Sequence, residues 1–276
     1  MDAGDESAPL ASFIAKWSGA YPELQLALGF VPRATRSAQA AFACLGHELE
    51  HATFSTREDQ PAAVKLAWWA EELTRTGAGE ARHPLTIELA TLPAWSRIAP
   101  SRWREVIAAA LELRDPEPAA DGERLLAAWT PFHRPQAAIE ADLFGALDVD
   151  ARARQRSIAR ALEDLALLSD AIGEGRLPLP LDLLARHQLA RNDLGRDSPA
   201  RRGAVRDWLA QLERAAGELG RSGAALGILG TSALSAGRWR ARQATRSDEP
   251  VAALHGLHAR LPLSAAWATW RAARRA

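Results

Sequence analysis

"DQPAAVKLAWWAEELTRTGAGEARHPLTIEL", residues 59–89, reads as one helix, a turn and the start of a second helix. Asp59 or Gln60 stands near the N-cap, Pro61 falls in the first turn and Gly77 lies just past the expected end. Apolar residues recur at three- and four-residue spacing, and nothing alternates as a half-buried strand would. Trp68 and Trp69 are adjacent, so on a helix they point about 100° apart and cannot share one narrow core stripe. One of them packs between helices while the other lines a cavity or caps a neighbour. In His83-Pro84, proline suits the first turn of a helix and the histidine is placed to satisfy a local carbonyl.

The same texture extends in both directions. Helices are expected from about Thr35 to Phe54, over "PSRWREVIAAALELRD" (100–115) and from about Asp150 to Ile172, with three or four more after Ser198. The short "RDPEPAADG" (114–122) is the one internal linker, so 1–276 reads as a single all-α domain with residues 1–8 disordered. The chain is 47% hydrophobic and 25% charged, which argues for a globular protein over a disordered one. Its 34 basic and 34 acidic residues cancel, so no overall field favours nucleic acid. Lys16 and Lys65 are the only lysines in an Ala- and Arg-rich chain, the mark of GC-rich bacterial coding. Cys44 stands alone, excluding an internal disulfide and a thiolate zinc site. The N-terminus is acidic and no apolar run reaches membrane-spanning length, so a cytoplasmic location is expected.

"LGHELEHATF" (45–54) contains a literal H-E-x-x-H in His47, Glu48 and His51. Two histidines four apart on a helix can hold zinc, with the glutamate between them as general base. The missing strands and the lack of a third ligand at the usual spacings weaken a zinc peptidase. The plain alternative leaves Glu48 and Glu50 solvated and the histidines at a helix–helix seam.

Residues Lys65, Leu66, Trp68, Trp69, Glu72, Leu73, His83 and Pro84 resemble a stretch typical of the squalene/phytoene synthase family. "GRLPLPLDLLARHQLA" (175–190) is similar to the segment after that family's second Asp-rich helix, and "PLSAAWATWRAARRA" (262–276) to a Trp-Arg-rich terminus of bacterial relatives. The resemblance implies one helical bundle of the isoprenoid synthase type. Two Asp-rich helices would face a deep apolar cavity, holding magnesium that binds prenyl diphosphates. It lays the first Asp-rich motif on His47, Glu48 and His51, where imidazoles replace carboxylates. The second survives as Asp170, Glu174 and Arg176. Ala70 stands where relatives carry Arg, and Tyr21, the only tyrosine, has no mid-chain counterpart.

Three function classes follow. A binding or assembly protein with an isoprenoid or lipid ligand is expected first, and a prenyltransferase with a relaxed magnesium site second. The third is a zinc or iron site of His47, His51, Asp170 and Glu174. Trp68, Trp69 and Glu72 are read as cavity or packing residues. The protein partner is unknown. At the C-terminus, Leu263, Ala266, Trp267 and Trp270 repeat at helical spacing, and Arg271, Arg274 and Arg275 crowd the last turn. This helix either packs its Trp stripe on the bundle or makes a peripheral membrane contact, which Arg238, Arg240, Arg242 and Arg246 with Trp239 would extend.

Overall fold

A computed structural model describes residues 7–56, 58–145 and 147–275. The expected disorder of 1–8 lies outside the described residues as far as Glu6, while Ser7 and Ala8 already belong to α1 (Ser7–Ala20). Then come α2 (Pro22–Leu28), α3 (Arg33–Phe54), α4 (Asp59–Gly77), α5 (Pro84–Ala90), α6 (Pro100–Glu112), α7 (Gly122–Ala128) and α8 (Thr130–Phe144). The second half contains α9 (Val149–Ala166), α10 (Leu168–Gly173), α11 (Leu181–Arg186), α12 (Pro199–Arg221), α13 (Gly227–Thr245), α14 (Pro250–Leu257) and α15 (Leu263–Ala273). No strand occurs among the described residues.

Local chemistry sets the ends of these helices. α4 retains Gly77, and the chain turns at Gly79, whose φ of 80° suits glycine alone. Glu72, fully buried on α4, accepts from the backbone N–H groups of Arg82 and His83, both at 2.8 Å, and from the Thr86 hydroxyl at 2.5 Å. It thereby fastens the start of α5 to the middle of α4. The His83 Nδ1 accepts from the Leu85 N–H at 3.2 Å, so the ring caps the helix start rather than serving a carbonyl. Trp69 is buried, while Trp68 stays 40% exposed and meets the His83 ring edge-on. Neither lines the cavity between α2, α3, α9, α13 and α14.

α12 and α13 pair closely and α15 lies along α13, while α8 packs on α9, and α6 joins α4 to α8. One apolar cluster runs from Trp17 on α1 to Leu254 on α14. Large rings fill the gaps between Ala-rich helices. Gly122, at the start of α7, lies under the buried Trp208 ring, and any side chain there would overlap it.

α9 is polar on a buried face. Arg152, Arg156 and Arg160, spaced one turn apart, are all buried and all paired. Glu140 on α8 takes Arg152 at 2.9 and 3.0 Å and Arg156 at 2.9 Å, and Asp164 takes Arg160 at 2.7 Å. The expected single helix over 150–172 is interrupted at Leu167, which has φ −110° and ψ 36°. α10 starts afresh from there, and Asp170 ends on an exposed surface.

Candidate functional site

A cavity of about 130 Å³ lies between α2, α3, α9, α13 and α14. On α3 the residues turned to it are Ala43, Gly46, His47 and Glu50, one face of the helix at steps of three and four. On α9 they are Arg152, Gln155, Arg156, Ala159, Leu162, Glu163 and Ala166. Tyr21 and Glu23 close one end, and Leu229, Leu254 and His258 contribute from the C-terminal half. Glu23 is bound in a fork by Arg240, at 2.8 and 2.6 Å.

Glu50 and Glu163 are the carboxylates that work on each other here. Burial, and then the charge of Glu163, push the Glu50 carboxyl up to about 7. Glu163 accepts from the Tyr21 hydroxyl at 2.9 Å and pairs with Arg160 at 3.3 Å. Burial, then Glu163 and Glu50, hold the Tyr21 hydroxyl protonated well above its ordinary range. His47 stacks on Tyr21, ring centroids 4.1 Å apart, and on Trp17 at 5.1 Å. Burial, together with Arg156 and Arg152, pushes the imidazole down to about 3, so it stays neutral. Its Nδ1 is buried without a hydrogen-bond partner among the described residues.

The residues expected to form the site separate. Glu48 faces away from the cavity and is buried, held by Lys16 at 2.6 Å, the Trp17 indole N–H at 3.0 Å and Lys65 at 3.2 Å. It is therefore neither solvated nor free to act as a peptidase base. Glu50, also expected in solvent, faces the cavity instead. His51 is exposed at the edge of Trp17. Glu174 binds Arg176 at 2.7 Å in a second depression near Phe54 and Arg114. Arg176 also reaches Asp164 and, at 3.0 Å, the Phe54 carbonyl near the end of α3. His47, His51, Asp170 and Glu174 are thus not brought together. Glu50, Glu163, Tyr21 and the arginine ladder escaped the sequence reading. The small-small-polar spacing of Ala43, Gly46, His47 and Glu50, opposite the buried Leu45 and Leu49, was the signal that would have found Glu50.

No protein-family model and no curated protein matches the sequence. Solved structures do. Squalene synthase HpnC from Alicyclobacillus acidocaldarius superposes with a TM-score of 0.63 at 17% identity, over 95% of this chain and 98% of that one. A dehydrosqualene synthase in complex with ligand gives 0.66 at 11% identity, over 92% and 96%. The fold is that of the squalene/phytoene synthases. In this squalene/phytoene synthase fold, magnesium would need several carboxylate oxygens from the facing helices. The α3 face offers Glu50 and the α9 face Glu163, and the other acids nearby are matched by arginines. Among the described residues no group of three or more His, Cys, Asp or Glu is arranged to hold a metal. The residues present do not fit magnesium, nor a zinc or iron ion on the histidine pair.

Glu50 carries its own test. Its carboxyl titrates near 4.5 in the unfolded chain and at about 7 in the fold, so the unfolded state releases the proton first as pH rises. Stability should fall between those values, and Glu50→Gln should remove that fall. The variant is expected to match the wild type at pH 4 and exceed it by roughly 3 kcal/mol at pH 8. Denaturant melts at the two pH values check this, and parallel curves would refute a raised Glu50 carboxyl.

Proposed function

We propose that the protein is a binding or assembly protein on the squalene/phytoene synthase fold, one that does not condense prenyl diphosphates with magnesium. The observation that carries this reading is the carboxylate count across the cavity: a single glutamate from each facing helix, beside Arg152 and Arg156, which share the one carboxylate of Glu140. Size points the same way. About 130 Å³ is below the roughly 300–1,000 Å³ of sites for drug-sized ligands and close to a cavity that accommodates benzene. It suits one short isoprenoid unit or a comparable small ligand, not two long prenyl chains side by side.

With farnesyl or geranylgeranyl diphosphate and magnesium, no C30 or C40 product and no diphosphate release is expected above a protein-free control. Native mass spectrometry with prenol as probe should give one bound equivalent, lost in Ala159→Trp, which fills the cavity. A folded protein that takes up no prenol overturns the binding half of the reading. A second reading, a prenyltransferase with a relaxed metal site, draws on Glu50 and Glu163 sharing the cavity with the Tyr21 hydroxyl. Product formation abolished by Glu50→Gln and by Glu163→Gln would install it instead.

A further inference from the structure

α15 is turned inside out relative to an ordinary surface helix. Its buried residues are small, Ala265 and Thr269, and the Thr269 hydroxyl is spent on the Ala265 carbonyl at 2.6 Å. Its large apolar residues point outward. Leu263 is 91% exposed, Trp267 59% and Trp270 36%, at steps of four and three along one face. Leu261, just before the helix, adds another exposed side chain. The expectation that the Trp stripe packs on the bundle is therefore overturned, because α13 is met by the alanine and threonine face. A contiguous apolar stripe left in water marks an interaction surface.

Charge says what it meets. Arg271, Arg274 and Arg275 lie on or beside the same face, and none has an ion-pair partner among the described residues. The Arg274 guanidinium sits over the Trp270 ring, 5.1 Å from its centroid, presenting cation and ring together. Beside Trp267, a groove of about 610 Å³ opens between the end of α12, the start of α13 and α15. Arg221, Arg271 and Arg275 line it without carboxylate partners, and Arg238 lines it while bound to Glu213 at 3.0 Å. The whole chain is neutral, so this positive charge is a local feature. The earlier extension along 238–246 shrinks accordingly, since Arg240 is buried against Glu23.

We propose that the α15 face docks on an anionic membrane surface, with Leu263, Trp267 and Trp270 at the acyl boundary and the arginines on headgroup phosphates. Tryptophan and arginine together suit that boundary, where the ring lies in the interface and the guanidinium reaches the phosphates. A second copy of this chain fits less well, because pairing two such faces would set unneutralised arginines against each other. No helix among the described residues is long and apolar enough to cross a membrane, so the contact is peripheral.

The test is co-sedimentation of the full chain with phosphatidylglycerol-containing vesicles and with pure phosphatidylcholine vesicles. Binding is expected to the anionic vesicles and to weaken as salt rises. Trp267→Ala with Trp270→Ala should abolish most of it. Replacing Arg271, Arg274 and Arg275 by Gln should weaken it roughly a hundredfold, from three lost charges. Both variants change exposed side chains and should melt with the wild type. Equal binding to neutral vesicles, no binding by the folded protein, or binding untouched by both variants overturns the proposal. So does a dimer, seen by sedimentation velocity, that the Trp variant dissociates while vesicles bind nothing.

Discussion

Glu140→Ala is expected to cost about 4 kcal/mol of folding stability, the range for breaking a buried ion pair by removing one partner. Burial opposes the Glu140 charge, and Arg152 and Arg156 override it, holding the carboxyl below its usual range. Three charge-assisted bonds of 2.9–3.0 Å end on this one carboxylate. Alanine would leave two guanidinium groups buried, with only Gln155 and Gln136 as remaining partners. Replacing all three members by apolar residues of similar size (Glu140→Leu, Arg152→Met, Arg156→Met) should regain most of the loss, because no charge is then stranded. Denaturant midpoints of the single and triple variants decide it. A single variant within 1 kcal/mol of wild type would mean that the ladder contributes little.

Glu72→Ala should cost about 3 kcal/mol and act through a different group, the backbone. Without the carboxylate, the N–H groups of Arg82 and His83 and the Thr86 hydroxyl lose the acceptor that ties α5 to α4. The effect should depend on acid in a defined direction. Burial works against the Glu72 charge, but the Thr86 hydroxyl and the two backbone donors pull the carboxyl from 4.5 down to about 2. Its stabilisation is therefore complete above about 4.5 and is lost as pH falls toward about 2. The gap between wild type and variant should narrow over that window in pH-dependent melts. A gap that stays constant would assign the loss to packing instead of the carboxylate.

The resemblance built on this motif carried the fold well. Trp69, Glu72 and His83-Pro84 fall where an α4–α5 junction needs them, Lys65 pairs instead with Glu48 on α3, and α3, α4 and α6 begin and end within a few residues of their expected bounds. These are local signals: apolar spacing, proline in a first turn, glycine after a last one. The candidate site was far less legible. Arg152, Arg156 and Arg160 have the spacing of a solvated face, and Glu140 on α8 with Glu163 and Asp164 further along α9 let them be buried. Glu48 and Glu50 differ by two positions and so face opposite sides of α3, one to lysines and one to the cavity. The break at Leu167 leaves no mark in the run "LALLSDAIG", because apolar periodicity continues through it.

That break also decides where a cation site could be engineered into this fold. Acids added around Asp170 would decorate an outer surface, because α9, which lines the cavity, ends at Ala166. Ala43 and His47 on α3 and Ala159 on α9 do line the cavity, beside Glu50 and Glu163. A cation designed in there would need several coordinated replacements, each made beside Arg152 and Arg156, which share one Glu140 carboxylate and repel the ion until enough acids are in place.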